Sequence, residues 1–118
     1  MEKNLYFYKA HVVSVYDGDT CTVDIDLGLH IWIRDEKIRL ARIDAPEIRG
    51  NEREKGLESR DFLRQLILDR DIFVETIKDK KGKFGRYLGE IWVADENDTY
   101  FNVNDLMMKE GYAEPYNY

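Results

Sequence analysis

The sequence has little or none of the features that define several protein classes. Its single cysteine, Cys21, excludes an internal disulfide and a cysteine-based metal cluster. No apolar run approaches the roughly 18 residues that a membrane-spanning helix needs. The apolar residues near the N-terminus are interrupted by Lys9 before they reach the length of a signal-peptide core. We therefore expect no membrane partner, and a chain that is intracellular, or secreted if a leader has been removed.

Net positive charge is also missing. The 118 residues carry a formal net charge of −6, whereas domains that bind nucleic acid by bulk attraction are usually basic. Any contact with nucleic acid must therefore use a local basic patch, or a bound cation that reverses the local sign. Hydrophobic residues make up 43% of the chain, which suits one domain over residues 1–118 with a packed core.

Residue type and residue alternation predict strands in the N-terminal part. The predicted elements are a strand over Leu5 to Val15, a turn at Tyr16 to Asp19, an alternating strand whose apolar side ends at Leu27, and a third strand from about His30 to Ile43 with a bulge at Arg34 to Lys37. Proline at position 46 ends this region, because it has no N–H to donate to a ladder.

The C-terminal half of the chain contains two segments with apolar residues at helical spacing and two further strands. The predicted elements are a helix from about Glu54 to Leu68, strands over Ile72 to Ile77 and Tyr87 to Val93, and a short helix between Asn102 as its cap and Gly111 as its stop. This order predicts a mainly β, α+β fold: a five-stranded Greek-key OB-fold barrel with two or three covering helices. One small barrel can bury its own core, so we expect a monomer.

The hairpin of the second and third strands brings charged residues together. A turn centred near Gly28 and Leu29 would place Asp19 opposite Ile38 and beside Arg39. Asp44 follows Arg39 by five residues, about 16 Å along a straight strand at roughly 3.3 Å per residue. Asp44 can therefore rejoin Asp19 only if the strand curls, as barrel strands do.

Two converging carboxylates repel each other and need a cation. Hard carboxylate oxygens suit Ca²⁺ or Mg²⁺, and water and substrate oxygens would complete the shell. A shell that is open in this way suits catalysis better than structural metal binding. The alternative is that Asp17 and Asp19 are simply residues of an Asp-Gly turn.

Two arginines and a glutamate have tasks in phosphodiester hydrolysis. Arg39 and Arg86 are candidates for donating paired hydrogen bonds to the phosphate oxygens that gain charge in the transition state. Glu47 could accept a proton from the attacking water or orient it. The alternative for Arg39 is an ordinary surface residue of a strand. The alternative for Arg86 is a solvated charge in a loop, and for Glu47 an exposed loop glutamate.

The segment from Lys78 to Arg86 is locally basic within an acidic chain and contains one aromatic residue, Phe84. Basic residues around an aromatic ring suit a site for a phosphate and a base. A solvated charged loop is the alternative.

Four short motifs occur in order along the chain. They are Val15-Tyr16-Asp17-Gly18-Asp19-Thr20, Ile38-Arg39-Leu40, Ile43-Asp44-Ala45-Pro46-Glu47 and Lys83-Phe84-Gly85-Arg86. Together they resemble the staphylococcal nuclease (thermonuclease) family, and the resemblance covers nearly the whole chain.

The resemblance implies an OB-fold nuclease with one Ca²⁺ as cofactor. It implies that the ion is held by Asp19, Asp44 and the backbone carbonyl of Ala45, with Asp17 as a nearby acid outside the direct ligands. It implies that Arg39 and Arg86 are the catalytic arginines and Glu47 the general base. It implies that Lys83 and Phe84 contact the terminal phosphate and base of the nucleotide, and that a residue near Tyr116 or Asn117, here taken as Tyr116, lies under the base.

The resemblance also implies the reaction. The family cuts single-stranded DNA and RNA readily, and duplex DNA too, and leaves 3′-phosphate ends. This chain departs from the family at Ala45, where threonine is common, and at Phe84, where tyrosine is common. These departures bear on substrate preference. Two other functions stay open: a non-catalytic OB-fold module that binds nucleic acid or protein, and a structural barrel that binds calcium for stability alone.

Overall fold

The computed structural model describes residues 6–81 and 85–117, with the side chains of 78–81 excepted. The strands in these ranges are β1 Phe7–Asp17, β2 Thr20–Asp26, β3 Trp32–Leu40, β4 Ile43–Asp44, β5 Asp71–Lys81, β6 Tyr87–Ala94, β7 Tyr100–Asn102 and β8 Glu114–Pro115. The helices are α1 Arg53–Ile67 and α2 Val103–Lys109, and a 3₁₀ turn, Gly50–Glu52, precedes α1. No helix within the described ranges is long and apolar enough to cross a membrane.

Five long strands close into a barrel. The sheet has the order β3-β2-β1-β5-β6-β7 with antiparallel neighbours, and β3 also pairs with β6 in parallel. This parallel pairing runs from Ile38 opposite Tyr87 to Leu40 opposite Gly89 and joins the two ends of the sheet. The predicted five-stranded OB-fold barrel with covering helices is confirmed.

The register of the β2–β3 hairpin differs from the prediction. Thr20 pairs with Arg39, and the backbone oxygen of Asp19 accepts a hydrogen bond from the nitrogen of Leu40 at 2.8 Å. The prediction that Asp19 lies opposite Ile38 is therefore wrong. The predicted bulge is present, since β3 gains one residue near Asp35, which has a φ of 57°. This extra residue, with a loop centred on residue 29, accounts for the shift.

Other boundaries also differ. The third strand is not continuous to Ile43, because a turn with Arg42 at a φ of 68° separates β3 from β4. Strand β5 was predicted to end at Ile77, but it continues to Lys81, which pairs with Tyr87 on β6. The short strands β4, β7 and β8 were not predicted, because two or three residues carry too little periodicity to reveal a strand.

Both helices cover the barrel as their sequence patterns predicted. Helix α1 buries Leu63 and Ile67 completely, and Phe62 and Leu66 pack beside them. Helix α2 begins at its predicted cap, where the Asn102 side chain accepts a hydrogen bond from the nitrogen of Asp105 at 2.8 Å.

A buried asparagine attaches α2 to the barrel. Asn104 is fully buried, and its Oδ1 accepts a hydrogen bond from the nitrogen of Ile91 at 3.1 Å. Its Nδ2 donates to the carbonyls of Ala41 at 2.9 Å and Gly89 at 3.0 Å. These bonds satisfy backbone groups of both β6 and the turn after β3, so α2 fixes the position of that turn.

A charged cluster joins β1 to the start of β5. Nδ1 of His11 lies 2.9 Å from Oδ1 of Asp71, and Nε2 lies 2.9 Å from Oδ1 of Asp69. Two carboxylates at the two ring nitrogens favour the doubly protonated imidazolium. They raise the pKa of His11 above its ordinary value of 6.5, with the hydrogen bond to Asp71 as the largest cause.

This cluster predicts a pH-dependent contribution to stability. A histidine whose pKa is raised on folding stabilises the protein below its unfolded pKa, and this contribution is lost as pH rises through the folded value. We therefore expect His11→Gln to lower the melting temperature more at about pH 5.5 than at about pH 8.5, on either side of the ordinary histidine pKa. Thermal melts of both proteins across that range test this, and a difference that does not vary with pH would contradict it.

Candidate functional site

A tight turn between β1 and β2 presents Asp19. Oδ1 of Asp17 accepts a hydrogen bond from the nitrogen of Asp19 at 3.1 Å, as in turns that begin with aspartate. Gly18 is buried at this turn, and a Cβ built on it would lie 2.7 Å from the Cβ atoms of both Ala45 and Ser59. Only glycine allows the turn to approach Ala45 this closely, so Asp19 enters the interior at a fixed depth.

The Asp19 side chain is buried and fully engaged. Its Oδ2 accepts a hydrogen bond from the nitrogen of Ala45 at 2.8 Å and lies 3.3 Å from Nη2 of Arg39. Its Oδ1 accepts a hydrogen bond from the Thr20 hydroxyl at 3.2 Å. Burial, with repulsion from Asp17, raises the pKa of Asp19 to about 7, although the Ala45 N–H and Arg39 act in the opposite direction.

Arg39 lies at the centre of the site and is 9% exposed. Its Nη1 donates to the carbonyls of Leu40 and Ile43, at 2.9 Å each. Its Nη2 lies 3.3 Å from Oδ1 of Asp44, the same distance as from the Asp19 carboxylate. These bonds hold the chain after β3 in a bend, and Asp44 returns to Asp19 through the curl that the hairpin argument required.

Arg86 approaches the same site from the start of β6, the strand that closes the barrel by pairing with β3. It directly precedes β6, whose parallel pairing with β3 places Tyr87 next to Ile38. Nη1 of Arg86 lies 3.5 Å from the Thr20 hydroxyl, a long and weak contact. The structure therefore connects both predicted arginines to the Asp19 carboxylate, Arg39 directly and Arg86 through Thr20.

The remaining predicted residues lie around this centre. Glu47 is exposed, and its backbone nitrogen donates to Oε2 of Glu52 at 2.9 Å. Tyr116 is 45% exposed, and its backbone nitrogen donates to the carbonyl of Arg42. Lys83 and Phe84 lie outside the described residues.

The predicted metal ligands offer carboxylate and carbonyl oxygens, the donor atoms that a hard cation such as Ca²⁺ prefers. Asp19 and Asp44 approach one guanidinium nitrogen, and the turn holds the Asp17 carboxylate nearby against the nitrogen of Asp19. No group of three or more His, Cys, Asp or Glu side chains within the described part of the chain is arranged to hold a metal. An ion here would need backbone, water and substrate oxygens as well. The raised pKa of Asp19 marks a buried acid whose ionised form such a cation would stabilise.

Two residues of the site were not predicted from the sequence. Thr20, which joins Asp19 to Arg86, was part of a motif but was given no role. Gly56 lies within α1, and a Cβ built on it would lie 2.0 Å from the carbonyl oxygen of Glu47. An isolated glycine inside a helical pattern often marks such a close approach, and this signal was available in the sequence.

Comparisons with known proteins agree with this geometry. The family model described as "Staphylococcal nuclease homologue" matches residues 37–118. The chain belongs to this family.

Individual relatives include a thermonuclease of Staphylococcus intermedius, 33% identical over 86% of this chain and 56% of the relative. A micrococcal nuclease of Shigella flexneri is 28% identical over 94% of this chain and 60% of the relative. An uncharacterized protein of Methanocaldococcus jannaschii is 31% identical over 92% of this chain and 59% of the relative. The chain thus spans a little over half the length of these relatives.

The contact between Gly56 and Glu47 makes a prediction about stability. Alanine is a better helix former than glycine by about 1 kcal/mol. The clash with a backbone oxygen should outweigh this gain, so we expect Gly56→Ala to lower the free energy of unfolding by about 1–3 kcal/mol. Urea denaturation measures the change, with Gln65→Ala at an exposed position of α1 as control. A variant as stable as the wild type would show that α1 and the Glu47 segment do not pack as described.

Proposed function

We propose that the chain is a Ca²⁺-dependent nuclease that hydrolyses phosphodiester bonds of DNA, with single strands preferred, and of RNA, leaving 3′-phosphate ends. The observation that carries the proposal is the buried Asp19 carboxylate, which contacts Arg39 directly and Arg86 through Thr20. Membership of the staphylococcal nuclease family and the printed names of two relatives support it.

The two arginines would bind the phosphate that is attacked. Arg39 is fixed by two carbonyls and two carboxylates, so its charge needs no reorganisation when negative charge develops on the phosphoryl oxygens. Arg86 is partly buried beside the same site, where its Nη1 lies 3.5 Å from the Thr20 hydroxyl. Both Nη atoms of Arg39 already contact protein oxygens, so Arg39 would act mainly through its charge, whereas the Arg86 guanidinium would donate hydrogen bonds to the phosphate oxygens.

Asp19, Asp44 and the backbone carbonyl of Ala45 would hold the Ca²⁺, with Asp17 outside the direct ligands. When bound, the ion supplies further positive charge next to the phosphate. Asp44 has a side chain that is 58% exposed, so this side of the site is open to water and substrate.

The exposed residues would handle water and the nucleotide. Glu47 would orient the attacking water and accept its proton, and its backbone is held in place by Glu52 and by the approach of Gly56. Lys83, Phe84 and Tyr116 would contact the terminal phosphate and the base. Stacking on aromatic rings tolerates any base, which suits cleavage without sequence preference.

Three substitutions test the catalytic site. We expect Asp19→Asn, Arg39→Gln and Arg86→Gln each to lower the rate of cleavage of single-stranded DNA about a hundredfold or more, because each removes charge at the phosphate or its metal. The matched controls are Asp35→Asn and Arg34→Gln at the exposed β2–β3 hairpin, which should cleave as the wild type does.

The assay uses purified folded proteins in calcium and in EGTA, with end-group analysis of the products. Wild-type activity in all three site variants would contradict the assignment. A folded wild-type protein that cleaves in no metal would instead favour a non-catalytic binding module.

Calcium binding predicts a separate effect on stability. A ligand that binds only the folded state at a hundred times its Kd stabilises it by about 2.7 kcal/mol. We expect calcium to raise the melting temperature of the wild type and of Asp35→Asn, but not that of Asp19→Asn, which lacks one charged ligand. An equal rise in all three proteins would place the calcium site elsewhere.

A further inference from the structure

A groove of about 780 Å³ lies between α1 and the outer face of β1 and β2. Four cationic side chains line it: Lys37, Arg60, Arg64 and Arg86. None of the described residues that line it is acidic, although the whole chain has a net charge of −6. Asp61 on α1 pairs with Arg60 at 3.1 Å and approaches Arg64 at 4.0 Å, which leaves an excess of positive charge.

Strand pairing builds the floor of the groove. Ser14 on β1 pairs with Thr22 on β2, which pairs with Lys37 on β3, so a row of three polar side chains crosses the sheet. Thr20 and Arg39 form the next pair on the same face, two residues along β2 and β3, and both take part in the Asp19 site. The groove therefore runs directly into that site.

Helix α1 forms the opposite wall. Arg60 and Arg64 are four residues apart, so they share one face of the helix. Nη2 of Arg64 donates to the carbonyl of Val15 at 3.1 Å, which fixes the width between helix and strand. Tyr16 also lines the groove, and it is 53% exposed.

We propose that this groove binds the single-stranded DNA chain next to the phosphate that is cut, with Lys37 and Arg60 contacting successive phosphates and Tyr16 stacking on a base. The inference rests on the proposed nuclease function and extends its substrate site to several nucleotides. Basic side chains beside an exposed aromatic ring are the usual way to bind single strands without sequence preference.

Nucleic acid is favoured over an acidic peptide because the groove continues into the pair Arg39 and Arg86. Thr20 lines the groove, accepts the contact from Arg86 and donates to Asp19. A phosphate chain that enters the groove is therefore led to the position where phosphate chemistry is proposed. Because the chain as a whole is acidic, binding of a polyanion is favoured where positive side chains are concentrated, as in this groove.

Binding of fluorescent oligothymidylates of about two and about twelve nucleotides tests the groove, since single-strand sites in OB-folds span several nucleotides. Fluorescence anisotropy in EGTA gives Kd over a range of salt concentrations. We expect Lys37→Gln and Arg60→Gln each to weaken binding of the longer strand about three- to tenfold, and to reduce the slope of log K against log salt by about 0.7. The loss for the dinucleotide should be smaller.

The matched control is Lys9→Gln. Lys9 lies on the same strand, β1, about 16 Å from Ser14 at roughly 3.3 Å per residue, and lines a different pocket with Asp26 and Trp32. This variant should bind the longer strand with the wild-type Kd and salt slope. Melting curves confirm that all variants are folded.

The outcomes separate this inference from the nuclease proposal. A wild type that cleaves DNA in calcium, with both groove variants binding as it does, would overturn the groove and leave the nuclease. Groove-dependent binding by a protein that cleaves nothing would support the groove and refute the nuclease. Equally strong competition by polyglutamate of matched charge would overturn the assignment to nucleic acid.

Discussion

The buried guanidinium of Arg39 is the interaction on which the site depends. A charge in the interior is costly unless it is paired and hydrogen-bonded, and here two carbonyls and two carboxylates surround it. The carbonyls belong to Leu40 and Ile43, so satisfying the guanidinium also bends the chain between β3 and β4. Without that bend Asp44 would lie far along the strand from Asp19. The same group thus shapes the backbone and holds the two carboxylates together.

The helices make this arrangement possible by approaching the barrel closely. Gly18 lets the β1–β2 turn pack against Ser59 of α1 and against Ala45, and Gly56 lets α1 approach the backbone of Glu47. From α2, Asn104 donates to the carbonyl of Ala41 in the turn that follows β3. Both helices therefore hold the Asp19 to Glu47 region in place, although neither contributes a predicted catalytic side chain. A site built in this way on packed elements varies less in its geometry than one built on loops alone.

The sequence predicted the barrel because long strands and helices carry clear periodicities. It also predicted that Asp19 and Arg39 come together, although the register was wrong, because a loop centred on residue 29 and a bulge near Asp35 each shift the pairing by one. Asp19 was predicted to lie opposite Ile38, but Cys21 takes that place and Thr20 pairs with Arg39. The Asp19 side chain still reaches the guanidinium from the position next to Thr20. The Asn104 contacts and the pairing of Arg42 with Glu90 at 2.7 Å could not be predicted. They join residues that only the closed barrel brings together, and no local pattern encodes them.

The distribution of charge makes the proposed nucleic-acid substrate compatible with an acidic chain. Net charge acts over distances beyond the Debye length of about 8 Å only weakly at physiological salt, so local charge governs binding. Four cationic side chains line the groove, Arg86 among them, and Thr20 connects this lining to Asp19. A basic protein would bind a polyanion over much of its surface, whereas in the proposed arrangement the groove that leads to Asp19 would be the favoured surface.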